Sequence, residues 1–349
     1  MSGCSRCESI DSYVLQGKVF LHIITPTGHT FSKLKSGLEA EFNLGTVDRG
    51  YLYLDLPPEQ FDNFATLVKG LLSQQELNDS SVIMLYDNQT SISPAQALKA
   101  TRTLASFVNM ASAQWLVHML DQNLLTIWFQ PIVSSVTHEI YAHECLLRAE
   151  QHGKTIGAQA ILSAAKEADM LFILDRHARI NAINTASNHK KKLERLFINF
   201  NPTSIYDPQF CLRTTDEAVK KAQYEPEQIV FEITESGLVD DREHLVRITQ
   251  FYRERGYRIA LDDLGSGYSS LNMLHELNPD LVKLDMDLIR DIHNSPVKQI
   301  MVEKIIEIAQ QMSIKTVAEG IETKEELECL KHYPIDYYQG YYFGKPAPI

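Results

Sequence analysis

Acidic and amide side chains recur at one kind of position in the second half of this chain, the ends of short apolar runs. Glu144 falls within IYAHECLLR (140–148) and Asn199 near the end of RLFINF (195–200). Glu232 lies near the end of QIVFEIT (228–234), with Glu235 just beyond it. Asp262 and Asp263 end RIALDD (258–263), Lys283 and Asp285 end LVKLD (281–285), and Glu319 ends IKTVAEG (314–320). Gln339 follows a last short run. Such oxygens are hard donors that suit Mg²⁺ or Mn²⁺. An adjacent aspartate pair can bridge two ions, an arrangement that supports phosphoryl chemistry. One carboxylate at a strand end is usually a solvated cap, so no single residue here carries weight. Repetition over successive strand ends points to one centre, because like charges share a site only with protons or cations among them.

The elements that must hold these groups follow from the apolar runs. With LLTIWFQPIV (124–133) in front, there are roughly eight strands in about 230 residues, separated by helical stretches, which is the size of a (β/α)₈ barrel. All parallel strands of such a barrel deliver their C-terminal ends to one mouth. The run from Ile140 follows the first with no room for a helix, which permits an antiparallel first strand. The expected class is therefore α/β, a modified TIM-like barrel over 120–349. Before it, 17–26, 51–56 and 81–86 read as strands and Phe61–Leu72 as a helix, giving a small α+β or α/β domain over 1–92. Ser93 and Pro94 read as the N-cap and first position of a helix that opens a helical connector over 93–119.

Composition narrows the function. A net charge of −12 disfavours DNA or other nucleic acid as a non-specific partner, and it would repel a phosphodiester unless bound cations invert the local field. The sequence has no apolar run long enough for a membrane span and no signal-peptide pattern at its start, so a cytoplasmic location is expected. Five irregularly spaced cysteines argue against a disulfide framework. Cys4 and Cys7, with His22 and His29, are a weak zinc or redox motif that lacks a second cysteine pair.

The stretches FQPIV (129–133), ECLLR (144–148), NFNP (199–202), FEITES (231–236), DDLGSGYSSL (262–271), KLD (283–285), AEGIET (318–323) and QGYYFGKP (339–346) together resemble the EAL family of cyclic-di-GMP phosphodiesterases. The resemblance covers roughly 120–349. It implies two metal ions, Mg²⁺ or Mn²⁺, held by Glu144, Asn199, Glu232, Asp262, Asp263 and Glu319. It implies catalytic roles for Lys283, Glu319, Asp262, Asp263 and Glu144, and hydrolysis of cyclic-di-GMP to linear 5′-pGpG. Substrate contacts are implied for Gln130, Leu146, Arg148, Asp285 and Tyr268, and site support for Glu235, Glu322 and Gln339. A homodimer through the barrel is implied as well. The amino-terminal domain matches no familiar sensor signature and is assigned to regulation or partner contact by elimination.

The chain departs from the family pattern at Cys145, where alanine is usual, at Leu264, Ser266 and Asn201. None of these removes a ligand. Cys145 should point away from the Glu144 side of its strand and pack as a small apolar residue. The competing reading is a catalytically silent cyclic-di-GMP receptor or protein-interaction module.

Overall fold

The computed structural model describes the chain apart from residues 1–9, 11–12, 16, 87–92, 152, 190–192, 206, 235–241 and 266–269. Its described residues fall into two compact units, one of 10–124 with 159–170, the other of 125–158 with 171–349.

The first unit is built on five antiparallel strands: β1 (Val19–Ile24), β2 (Leu44–Asp48), β3 (Tyr51–Leu56), β4 (Ser81–Tyr86) and β5 (Thr101–Thr103), in the order β2-β3-β1-β4-β5. Strand alternation buries Val19, Leu21 and Ile23 on one face of β1 and Leu52, Leu54 and Leu56 on the same face of β3. The helices Gly28–Leu38, Phe61–Leu71 and Leu104–Ser112 cover that face with Leu34, Leu38, Phe64, Val68, Phe107 and Val108. The three strands and the Phe61 helix expected from the sequence are present. So is the Ser93 cap, whose hydroxyl accepts the Gln96 N–H. The segment 93–119 does more than connect. Its β5 pairs with β4, and Leu104, Phe107 and Val108 are core residues of this unit.

The second unit is a closed barrel with one added strand. Its strands are β6 (Leu125–Ser134), β7 (Ile140–Gln151), β8 (Lys154–Gly157), β9 (Leu196–Asn199), β10 (Ile229–Thr234), β11 (Arg258–Leu264), β12 (Leu281–Leu284), β13 (Lys315–Ala318) and β14 (Tyr337–Gln339). The order is β6-β14-β13-β12-β11-β10-β9-β7, closed by pairing of β6 with β7, while β8 folds back on β7 as a hairpin. Only β6 runs against its neighbours β7 and β14, and the rest of the barrel is parallel. The expected antiparallel first strand follows from its five-residue link to β7, which is too short for a crossover.

One layer of the barrel interior is wholly apolar. Ile132, Ala142, Phe197, Val230, Ala260, Leu281 and Val317, one from each of seven strands, form a buried cluster, with Tyr141 and Tyr337 packed against it. Residues two positions away along each strand, after the layer in the parallel strands and before it in the antiparallel β6, must also face the interior, because strand side chains alternate.

Candidate functional site

Two positions beyond that apolar layer lie Gln130, Glu144, Asn199, Glu232, Asp262, Lys283 and Glu319, and two beyond Tyr337 lies Gln339. The period-two geometry of the strands thus gathers an amide, acid and lysine ring immediately above the apolar residues. Glu232 is fully buried, Lys283 is 1% exposed, and Glu144, Asp262, Gln130 and Gln339 are also buried.

Lys283 stands at the centre. Its Nζ lies 2.5 Å from Glu319 Oε1, 2.6 Å from Glu232 Oε1, 3.1 Å from Asp262 Oδ1 and 3.6 Å from Glu144 Oε2. Asn199 Nδ2 donates to Glu144 Oε1 and to Glu232 Oε2, both at 3.2 Å. Gln339 Nε2 donates to Glu144 Oε2 at 2.5 Å and to Gln130 Oε1 at 3.3 Å, and Gln130 donates to the Gly344 carbonyl. One ammonium cannot neutralise four carboxylates. Burial therefore pushes the Glu232 and Glu319 carboxyls well up, against the pull of Lys283, and the other acids push the same way. Burial works to lower the Lys283 pKa, but Asp262, Glu144, Glu232 and Glu319 outweigh it and hold it well above the usual lysine value.

The aspartate pair needs a local break in the strand. Consecutive residues of a regular strand point to opposite faces. Here Asp263 takes the left-handed conformation, φ 58°, and the β11–β12 register shifts between Leu261 and Leu264. As a result Asp262, Asp263 and Glu319 each offer an oxygen within 4.8 Å of the others. The Asp263 carboxyl is pushed up to about 6, first by burial and then by Asp262 and Asp285. After Glu319 the chain turns at Gly320, φ 67°, where a side chain would collide with Met286. Gly340 is required by contact, since a Cβ there would overlap the Ile321 backbone.

The residues expected to touch substrate have several placements. Glu144, Leu146 and Arg148 share one face of β7, opposite Gln130, Trp128 and Thr126 of β6. Arg148 lies 5.5 Å from the Trp128 ring centroid, and its Nη1 donates to the Leu147 carbonyl at 2.8 Å. Trp128 was not singled out from the sequence, although its alternation with Gln130 puts it on the same face. Asp285 is buried and caps the short helix Met286–Ile289, accepting the Asp287 N–H at 2.7 Å. Glu322 points outward to Arg290, 2.7 Å away, while the buried Glu326 receives the Glu322 and Thr323 N–H groups. Tyr268, Glu235, Ser266, Cys4 and Cys7 lie outside the described residues. Cys145 packs in the outer core, and burial raises its thiol well above the usual range, with Glu232 and Glu144 adding to the effect. His22 is hydrogen-bonded to the Tyr51 hydroxyl at 2.7 Å.

These residues fit a divalent ion. The donors are hard oxygens, three carboxylates converge within ligand spacing, and the surplus negative charge is otherwise relieved only by protonation. Gln339 Oε1 is buried without a hydrogen-bond partner, so an acceptor faces the same cluster.

A family model described as the EAL domain matches residues 113–346. This chain belongs to the EAL-domain family. Two similar curated proteins come from Escherichia coli. A probable cyclic di-GMP phosphodiesterase, PdeG, is 32% identical over 227 residues, which is 63% of this chain and 44% of that protein. The cyclic di-GMP phosphodiesterase PdeF is 31% identical over 233 residues, 66% of this chain and 31% of that protein. The EAL chain thus spans less than half the length of these relatives. Among solved structures, the cyclic-di-GMP-bound form of a standalone versatile EAL protein from Vibrio cholerae is 38% identical with a TM-score of 0.58, covering 64% of this chain and 92% of that one. The FimX EAL domain from Pseudomonas aeruginosa, bound to cyclic-di-GMP, is 26% identical with a TM-score of 0.61, covering 67% and 95%. The barrel is thus similar in fold to solved EAL domains. Among the described residues no helix is long and apolar enough to cross a membrane.

Proposed function

We propose that this EAL barrel is a metal-dependent phosphodiesterase that opens cyclic-di-GMP to linear 5′-pGpG. The observation that carries the reading is the unbroken ring of Glu144, Asn199, Glu232, Asp262, Asp263 and Glu319 around Lys283. The two curated relatives named above are phosphodiesterases of that nucleotide by name, and both solved structures hold it.

The ring residues would hold two ions, Mg²⁺ or Mn²⁺, with Asp262 shared and Asp263 serving the second. Bound ions neutralise phosphate oxygens and lower the pKa of water. The chain's own groups supply the rest. Lys283, kept cationic by its neighbours, stabilises negative charge that develops at the attacked phosphate and orients the nucleophile. Gln339 and Asn199 fix the Glu144 and Glu232 carboxylates by donating to them, so that these acids need not reorganise during reaction. Arg148 presents a planar fork to a substrate phosphate, and Trp128 offers a flat surface beside it. Gln130, Leu146, Asp285 and Tyr268 complete the substrate-facing set. Glu235 and Glu322 are assigned to supporting the loops around the mouth.

The expected setting is a cytoplasmic homodimer associating through the barrel, with the amino-terminal domain expected over 1–92 and the 93–119 segment passing a signal or partner contact to it. The deciding experiment is cyclic-di-GMP turnover by the full chain with Mg²⁺, with Mn²⁺ and with EDTA, beside Glu144→Ala. Metal-dependent pGpG formation that the substitution abolishes supports the reading. Tight nucleotide binding by folded protein, with no product under any metal, overturns it in favour of a receptor.

A further inference from the structure

The barrel interior carries a second charged layer at the end opposite the carboxylates. Two positions before Phe197 and Ala260 of the apolar layer stand Arg195 and Arg258. Both are partly buried and both converge on Tyr141. The Arg195 guanidinium carbon is 4.7 Å from the Tyr141 ring centroid, and Arg258 Nη1 donates to the Tyr141 hydroxyl at 3.5 Å. Tyr337 stacks on the same ring at 3.9 Å and 20°.

These two cations lack the partners that arginines in a chain of net charge −12 would readily find. Among the described residues neither has a carboxylate within 4 Å of a guanidinium nitrogen. The acid beside Tyr337 is Asp336, and it is already occupied. It accepts Lys315 Nζ at 2.7 Å, the Thr316 N–H at 2.9 Å and the Thr316 hydroxyl at 3.2 Å. A guanidinium cannot shed its charge, so two of them held at one tyrosine, one over its ring and one at its hydroxyl, repel. Exposed arginines would settle this with water, but Arg195 Nε is sealed from solvent and has no acceptor. A buried N–H of a charged group left unmatched signals an acceptor not supplied by the protein.

We propose that Arg195, Arg258 and Tyr141 form a binding site for a small free oxyanion of the phosphate class at this end of the barrel. Its oxygens would accept from both guanidinium groups, the geometry for which arginine is suited. The apolar layer separates the site from the carboxylate ring, so the anion is not substrate in transit. It acts as a counter-ion that holds the starts of β9 and β11 together.

The test uses the full chain in EDTA, which removes metal-held phosphate from the mouth, with Arg148→Met run beside it to account for phosphate held there by Arg148. Inorganic phosphate is titrated while the ³¹P resonance and the melting temperature are followed. Saturable binding with a rise in melting temperature is expected, and the affinity should fall about tenfold or more in Arg195→Met and Arg258→Met. Should a variant not fold, the wild type alone remains decisive: no saturable binding at about 10 mM phosphate, weaker than the range that charged forks reach, overturns the site. Equal binding by wild type and folded variants also overturns it. A parallel arm offers vesicles containing phosphatidic acid; binding to vesicles without binding to free phosphate overturns the free-anion assignment. Glu144→Ala serves as a control and should bind phosphate like wild type.

Discussion

The ammonium of Lys283 lies 2.6 Å from the carboxylate of the fully buried Glu232. Three further carboxylates crowd the same nitrogen, so this lysine is the fixed positive charge around which the site folds. Breaking a buried pair leaves uncompensated charge.

Lys283→Met should therefore destabilise the metal-free protein by about 3–5 kcal/mol. Saturating Mn²⁺ should restore more stability to the variant than it adds to wild type, since a divalent ion replaces the missing charge. Chemical denaturation in EDTA and in Mn²⁺ checks both. A variant as stable as wild type in EDTA would show that the cluster neutralises itself by protonation alone.

The Asp263 carboxyl predicts a pH dependence of defined sign. Its pKa rises from 3.8 in the unfolded reference to about 6 in the metal-free fold. The folded state holds that proton more tightly, so its contribution to stability is complete below about pH 4 and is lost as the pH climbs through about 6. Metal ions require the carboxylate, hence Mn²⁺ affinity should strengthen over the same rise and binding near pH 6 should release protons. Calorimetric titration in two buffers of different ionisation enthalpy measures the release. Identical heats at pH 6, together with a flat affinity from pH 5 to 7, would refute it.

Backbone conformation at Asp263 can be separated from its charge. Asp263→Gly and Asp263→Val both delete the ligand, but only glycine keeps φ near 58° without a Cβ penalty. In EDTA the glycine variant should be the more stable by about 1–2 kcal/mol. Equal denaturation midpoints would mean that β11 can relax into regular strand geometry at this residue.

Arg148 should act on binding more than on the chemical step. With its guanidinium beside Trp128 and outside the lysine–carboxylate ring, Arg148→Met should raise KM for cyclic-di-GMP about tenfold and leave kcat nearly unchanged. Trp128→Ala should shift KM in the same direction. Steady-state kinetics with saturating Mn²⁺ decide, and a loss confined to kcat would move Arg148 into the reacting centre.

Much of this site was legible because strand periodicity is rigid. Once Glu144, Asn199, Glu232, Asp262, Lys283 and Glu319 were placed at the ends of apolar runs, closing a barrel could only bring them together. What the sequence did not show is how the neighbours of that ring are placed, which depends on deviations from the period or on non-local pairing. Asp263 was named with its neighbour, but it reaches the mouth through a left-handed backbone that no pattern of apolar residues reports. Asp285 spends one oxygen on a helix cap, and Glu322 turns outward to Arg290, because each sits past its strand end where alternation no longer governs direction. Trp128 was hidden because it stands among apolar neighbours, Ile127 and Phe129, so residue type alone did not mark it off from the core, although burial alternates there. In the first unit, β2 and β5 were missed because LGTVD and TRT carry little apolar content, and their pairing to β3 and β4 holds them in place.

The position of β6 has a consequence for how the barrel is made. Its Gln130 meets Gln339 across 209 residues of sequence, and its other edge pairs with β7 at once. During synthesis β6 and β7 can form a hairpin early, and β9 to β13 can add to β7 in the order they emerge. The sheet stays open, with β6 presenting an unpaired edge, until β14 arrives. Such long-range closure is slow and leaves an edge exposed to other chains. Truncations that remove β14 should therefore yield aggregating chains rather than a weakened enzyme.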